Sequence, residues 1–224
     1  MTEGQKPTSK IVVLISGSGS NLQSIINACE ENNIDAQISA VISNKYNVKG
    51  LERAAAANIP SIVIDHHAFE TRQAFDQYLA EVISGFTPDL IILAGFMRIL
   101  TEEFVNQFVG KLINIHPSLL PAYPGLNTHQ RAIEAGDRTA GATVHFVTPE
   151  LDGGPSILRA QVAVLENDTS DALAARVLTI EHQIYPTVAQ WFCEGRISMN
   201  DGIVFFDGVQ IDKLGLLFTP QSEH

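Results

Sequence analysis

Ile11-Val12-Val13-Leu14-Ile15-Ser16-Gly17-Ser18-Gly19-Ser20-Asn21 runs a short apolar stretch, mostly β-branched, into a glycine-rich turn, and Leu22, Ile25, Ile26 and Cys29 then recur at helical spacing. The apolar stretch shows no polar alternation, as expected of a strand covered on both faces. The segment therefore reads as strand, glycine loop, helix. Such a loop aims backbone N–H groups and a positive helix N-terminus at one point, which suits a phosphate or a carboxylate; a tight turn that serves packing alone is the competing reading. A dinucleotide fingerprint would place its third glycine at Leu22 and an acidic ribose ligand near Asn44, and a Walker loop would need Gly-Lys-Ser/Thr after Gly17. Neither pattern is present, so the loop is expected to hold a small phosphomonoester or carboxylate.

The same alternation continues along the chain. Strands are predicted at 38–43, 61–64, 90–94, 112–116, 142–147 and 157–164, with helices at 51–57, 71–84, from near Thr101, at 128–135 and at 170–193. Repeated βα units predict a doubly wound α/β fold with a mostly parallel, Rossmann-like sheet and right-handed crossovers. After Gly195, Asp201-Gly202 and Asp207-Gly208 punctuate short apolar runs, which predicts a small β meander. The expected organisation is a tail over 1–9, one α/β domain over 10–194, the meander over 195–218 packed on it, and a frayed tail over 219–224.

At 224 residues the chain suits one well-buried core. A formal net charge of −11 with no Lys/Arg run argues against a nucleic-acid or anionic-membrane surface. No apolar stretch approaches a membrane span, and residues 1–9 lack the apolar core of a signal peptide, so a cytoplasmic protein is expected. Cys29 and Cys193 lack metal-like spacing and are expected to be buried thiols.

Two stretches stand out chemically, a strand end and a loop. In 112–116, Asn114 and His116 are two residues apart and would project from one strand face, an amide donor beside a titratable base, just before Pro117 ends the ladder. The bland reading is a satisfied core histidine with a buried Asn partner. Asp152, ahead of Gly153 and Gly154, adds an acid able to favour a charged base, and together these groups suit addition to a carbonyl through an oxyanion. Neither G-x-S-x-G nor H-E-x-x-H occurs, which disfavours serine and metal chemistry. The loop, 95–100, carries apolar residues where loops are normally polar; it is either tucked into the core or lines a pocket for a flat ligand. Group transfer or hydrolysis on a small anionic ligand is the reading the residues allow, with a pure binding module as the alternative.

Four stretches, Ile15 through Leu22, Leu93 through Leu100, Asn114 through Pro121, and Val144-His145-Phe146-Val147 running to Leu151-Asp152-Gly153-Gly154, resemble in order those of the phosphoribosylglycinamide formyltransferases, folate-dependent formyltransferases of purine biosynthesis. The resemblance spans Lys10 to about Leu217. It implies formyl transfer from 10-formyltetrahydrofolate to the amine of glycinamide ribonucleotide, without a metal, by a monomer or homodimer. It further implies Asn114, His116 and Asp152 as the catalytic trio, and Gly19, Ser20, Asn21 and Glu181 as ribonucleotide contacts. The folate would meet Arg72, Met97, Arg98, Ile99, Leu100, Thr148, Pro149, Glu150, Leu151 and Asp152, and a cis peptide is implied before Pro121. Two departures from the family are Asn127, where relatives often carry histidine, and Leu178, where many carry a polar side chain. His66, His67 and His182 are expected to serve the surface or packing. Methionyl-tRNA formyltransferases and formyltetrahydrofolate deformylases share the trio but usually carry further domains, so the acceptor is expected to be the ribonucleotide.

Overall fold

Strand β1 (Ser9–Ile15) is sealed from Ile11 to Ile15, each fully buried, as its unbroken apolar pattern requires. The computed structural model describes residues 8–219. After β1 come α1 (Ser20–Glu30), β2 (Ala36–Ser43), α2 (Lys49–Ala56), β3 (Ser61–Val63), a 3-10 turn at His66–Ala68, α3 (Arg72–Gly85), β4 (Leu90–Leu93), α4 (Glu102–Gln107) and β5 (Leu112–His116). Then follow α5 (Thr128–Glu134), β6 (Thr139–Phe146), β7 (Ser156–Ala163), α6 (Ser170–Cys193), β8 (Ile197–Asn200), β9 (Ile203–Phe206), β10 (Val209–Gln210) and β11 (Leu216–Leu217).

Eight strands form one sheet in the order β11-β7-β6-β5-β4-β1-β2-β3, and β10-β9-β8 form a small antiparallel sheet. The period-2 geometry of β1 divides its side chains between two cores. Ile11, Val13 and Ile15 face α1, α2, α5 and α6, while Val12 and Leu14 face α3 and α4. The sheet is therefore the middle of three layers, and α1 packs closely along α6. Burial there pushes the half-buried Cys29 thiol up to about 11, with the buried Cys193 nearby adding to the effect.

β1 through β5 pair in parallel, as the βα alternation predicts. β6 pairs antiparallel with both β5 and β7, so the sheet is mixed on that side. β6 also begins earlier than its apolar run suggests, at Thr139, where it already pairs with Ala163 of β7, and Gly141 inside it is required. A side chain there would strike the Ala160 carbonyl of β7. The two-residue β11 had no pattern in the sequence; it adds in parallel to β7, and Phe218 N–H bonds the Arg159 carbonyl at 2.7 Å. Within 195–218, then, β8 to β10 form the meander while β11 returns to the main sheet. Of the expected tails, residues 1–7 and 220–224 lie outside the described residues. No helix among the described residues is long and apolar enough to cross a membrane.

Helices α3, α4 and α6 start on Thr71, Thr101 and Thr169, each accepting a backbone N–H three residues on, a cap worth about 1 kcal/mol. At the other side of the sheet, Tyr185 of α6 is fully buried, and its hydroxyl lies 2.9 Å from the Leu93 carbonyl and 3.2 Å from that of Ile113. One side chain thus ties the end of β4 and the start of β5 to the helix behind them, immediately before Asn114. Tyr185→Phe keeps the packing but leaves buried carbonyls without their donor, so the variant is expected to lose about 1–3 kcal/mol of stability in urea unfolding.

Candidate active site

The antiparallel register of β5 and β6 sets Asn114 opposite His145 and His116 opposite Thr143. His145 is buried, and its Nδ1 lies 2.9 Å from the Phe146 carbonyl, which can only accept, so Nδ1 carries the proton. Its Nε2 is then a bare lone pair that accepts from the Asn114 amide at 3.2 Å. Burial lowers the His145 pKa to about 4, against a smaller upward pull from the Phe146 bond, which keeps the ring neutral. The Asn114 amide is thereby held in one orientation, with its second N–H uncommitted.

His116 is buried and donates through Nε2 to the Tyr123 carbonyl at 2.9 Å, while Nδ1 faces the Asp152 carboxylate at 3.4 Å. Asp152 lies in the left-handed region at φ 51, a conformation aspartate tolerates better than most residues, and its Oδ2 also accepts the Gly125 N–H at 2.8 Å. Gly154 must be glycine because a side chain would collide with the Phe146 carbonyl at the end of β6. The proline-rich loop 117–127 is thus fixed to the trio from several directions. Tyr123 meets His116, Gly125 meets Asp152, and Thr143 accepts the Leu120 N–H at 3.1 Å while donating to the Ser118 carbonyl at 2.7 Å. The Leu120–Pro121 peptide is cis, as the resemblance implied. Asn127, one of the departures from the family, sits at the start of α5 with φ 58, where its tolerance of the left-handed region is used.

At the glycine loop, both readings have a counterpart. Gly19, at φ 66, is the first residue of the α1 cap, and a Cβ there would lie 2.7 Å from the Gly50 Cα of α2, so packing requires it. A Cβ on Gly17 would meet nothing. Unlike α3, α4 and α6, α1 has no side-chain cap, which leaves the N–H groups of its first turn available. Asn21 donates to buried Glu181 at 2.7 Å, and its Oδ1 is buried without a partner. Burial raises the Glu181 pKa, and the Asn21 bond partly offsets this. Arg53 steadies the loop through the Ser18 carbonyl at 2.9 Å and Gln23 at 3.0 Å. A polar groove of about 540 Å³ lies beside it between α1 and α6, lined by Ser20, Gln23, Arg53 and His182 among others. None of the trio lines that groove; the titratable and amide groups converge instead at the strand ends.

The loop 95–100 meets the glycine loop at the point where strand order reverses, between β1 and β4, the place where open α/β sheets bind ligands. Met97 N–H bonds Ser16 Oγ at 2.8 Å, and Ser16 donates to Asn44 at 2.7 Å. Met97, Ile99 and Leu151 are exposed while Phe96 and Leu100 are buried, so the loop is anchored in the core and presents apolar side chains outward. Thr148 is half-buried and Pro149 and Glu150 are exposed on the neighbouring loop. The Arg98 side chain turns inward, 4.3 Å over the Phe75 ring. Arg72 is exposed at the start of α3 and makes no hydrogen bond or ion pair among the described residues. Asp65, His66 and His67 bring possible metal-ligand atoms within 4.8 Å of one another. Two of these groups are engaged, Asp65 with the His67 N–H and His66 Nδ1 with the Asn44 carbonyl.

Sequence reasoning left Ser16, Asn44 and Thr143 without a role and His145 without a decided one. A signal existed for the last two: Thr143 and His145 repeat, in an apolar strand, the two-residue spacing of Asn114 and His116.

Residues 9–189 match the formyl transferase family profile. The chain is 52% identical over 205 residues to the phosphoribosylglycinamide formyltransferase of Escherichia coli, covering 92% of this chain and 97% of that one. The solved phosphoribosylglycinamide formyltransferase of Coxiella burnetii superposes with a TM-score of 0.91 at 47% identity, over 94% of this chain and 99% of that one. The glycinamide ribonucleotide transformylase 1 of Symbiobacterium toebii gives 0.87 at 44%, over 90% and 95%. With the family profile spanning both the glycine loop and the Asn114, His116 and Asp152 cluster, this chain belongs to the formyl transferase family, among its phosphoribosylglycinamide formyltransferases.

Proposed function

We propose that the chain transfers the formyl group of 10-formyltetrahydrofolate to the amine of glycinamide ribonucleotide, in purine biosynthesis. The observation that supports this most directly is the orientation of Asn114 by neutral His145, next to a histidine that faces a carboxylate. In this reading the amine attacks the formyl carbon and a C–N bond forms. The oxyanion that develops is stabilised by the uncommitted Asn114 N–H and by the positive charge of protonated His116. Collapse breaks the bond from the formyl carbon to N10 of the folate, and the proton lost by the amine ends on N10. Asp152 stabilises the imidazolium and helps relay that proton. An amide held in place before reaction costs no reorganisation in the transition state, which is where such donors act.

The ribonucleotide phosphate is assigned to the uncapped start of α1 at Gly19, Ser20 and Asn21, with Glu181 on the same substrate. The unpartnered Asn21 Oδ1 supports a ligand there. The folate is assigned to Met97 through Leu100 and Thr148 through Asp152, with Arg72 at its glutamate tail. Partners are proposed to be these small molecules, with no nucleic acid or membrane, for a cytoplasmic monomer or homodimer.

Asp152→Asn preserves an acceptor for the Gly125 N–H while removing the charge beside His116. It is expected to lower kcat about a hundredfold, with ribonucleotide affinity nearly intact. His116→Ala should be at least as damaging, and the double variant should lose much less than the sum, because groups acting as a unit are non-additive. Single-turnover formyl transfer, run with and without the amine acceptor, measures this; deformylation as fast as transfer would make water the acceptor instead.

For the phosphate assignment, Gly19 is a poor target because any side chain there disturbs α2. Asn21→Ala should weaken ribonucleotide binding about tenfold in calorimetric titration and leave folate binding unchanged; equal affinities would remove α1 from the site.

His145 gives a pH dependence of defined sign. With a folded pKa of about 4 against the ordinary 6.5, the unfolded chain binds one more proton between those values, so stability rises with pH across that window and is lost as pH falls through it. His145→Gln should flatten that slope, measured by urea unfolding from pH 7 down to about 4. An unchanged slope would show that the proton is taken up elsewhere.

A further inference from the structure

Asp76 lies on α3, outside every loop assigned to substrate, yet it is only 1% exposed. A carboxylate buried to this degree is costly unless charges or donors compensate it. Its compensating groups come from one place. Oδ2 accepts the Thr101 N–H at 2.6 Å, and Oδ1 lies 3.5 Å from Arg98 Nε. The Arg98 guanidinium is held further by the Phe75 ring, the residue before Asp76 on the same helix. One partner of Asp76, Arg98, therefore belongs to the segment that carries the folate assignment and the other, Thr101, immediately follows it, so that the two flank Ile99 and Leu100.

The segment is pinned at its other end by Met97 N–H on Ser16 Oγ. Between these anchors, Ile99 is 54% exposed and Met97 69% exposed. The backbone is held from beneath while its apolar side chains and main-chain groups are left to face outward. An apolar residue at position 76 could have been buried there without a buried charge. A carboxylate there does what an apolar side chain cannot, which is to fix the direction of one N–H and one guanidinium on the loop.

From this we infer that Asp76 is a positioning residue for the folate slot. By holding Thr101 and Arg98 it sets the main-chain donors and acceptors of residues 97–100 against which the edge of the pterin is read. The inference rests on the formyl-transfer reading above, and it gives the inward-turned Arg98 a role through Asp76 rather than through the ligand.

The test varies both substrates in steady-state formyl transfer by wild type, Asp76→Ala and Asp76→Asn, and titrates each protein calorimetrically with 10-formylfolate. Asp76→Ala should raise the KM for the formyl folate and the Kd for 10-formylfolate about tenfold or more, with the ribonucleotide KM within about twofold and kcat at saturation nearly unchanged. Asp76→Asn keeps an acceptor for Thr101 but not the charge facing Arg98, and should fall between. Circular dichroism reports folding, and if the alanine variant does not fold the asparagine variant is judged by the same criteria. A folded variant in which both KM values rise together, or neither does, overturns the inference. So does a loss confined to kcat. Wild type that binds no 10-formylfolate would sink the formyl-transfer reading itself, whereas wild type and variants binding it equally would sink only the role of Asp76.

Discussion

The antiparallel pairing of β6 on β5 is the constraint on which the rest of the site depends. It sets Asn114 across from His145 and His116 across from Thr143. Each catalytic candidate thereby has an opposite neighbour of matching chemistry. His145 offers a lone pair to an amide that needs one donor fixed, and Thr143 offers a hydroxyl to the loop leaving His116. A slip of β6 by one residue would turn His145 and Thr143 to the face of the sheet away from Asn114 and His116. The register is secured from behind by Tyr185, which reaches the end of β4 and the start of β5, and from the other side by Gly141, which lets β7 approach β6 closely.

Buried polar groups in this region form a connected set, and their connections link loops that are distant in sequence. The chain Met97, Ser16, Asn44 joins the loops after β4, β1 and β2. Tyr123, Gly125 and Thr143 join the proline loop to His116, Asp152 and β6. An unmatched polar group would be expensive at this burial, so satisfying each one also fixes loop geometry. Several buried atoms make no hydrogen bond, Asp76 Oδ1 and Arg98 Nε among them, and one of these atoms, Asn21 Oδ1, falls where the ribonucleotide is proposed to bind. Rigidity and an unfilled acceptor at the same surface are what a preorganised site requires.

The fold class, the order of elements through α6 and the strand-end position of Asn114 and His116 were legible in the residues, because apolar periodicity and glycine punctuation are local properties. Resemblance then named the family on four motifs, and the comparisons place the chain in it. What periodicity could not supply was strand direction past β5: an all-buried strand reads the same whether parallel or antiparallel, so the expectation of a mostly parallel sheet did not say that β6 and β7 would be the strands to depart from it. β11 was invisible because two residues carry no period. The glycine loop kept two readings in the sequence and has features of both in the structure, Gly19 being needed by Gly50 while α1 stays uncapped. Arg98 shows the same division, since its sequence position places it in the loop proposed to meet the folate and only packing against Phe75 turns its side chain away. By itself the sequence determined which residue types stand at which strand ends. The tertiary structure alone decided which of them touch, because those contacts join residues far apart in the chain, and only strand register and loop closure bring them within hydrogen-bond reach.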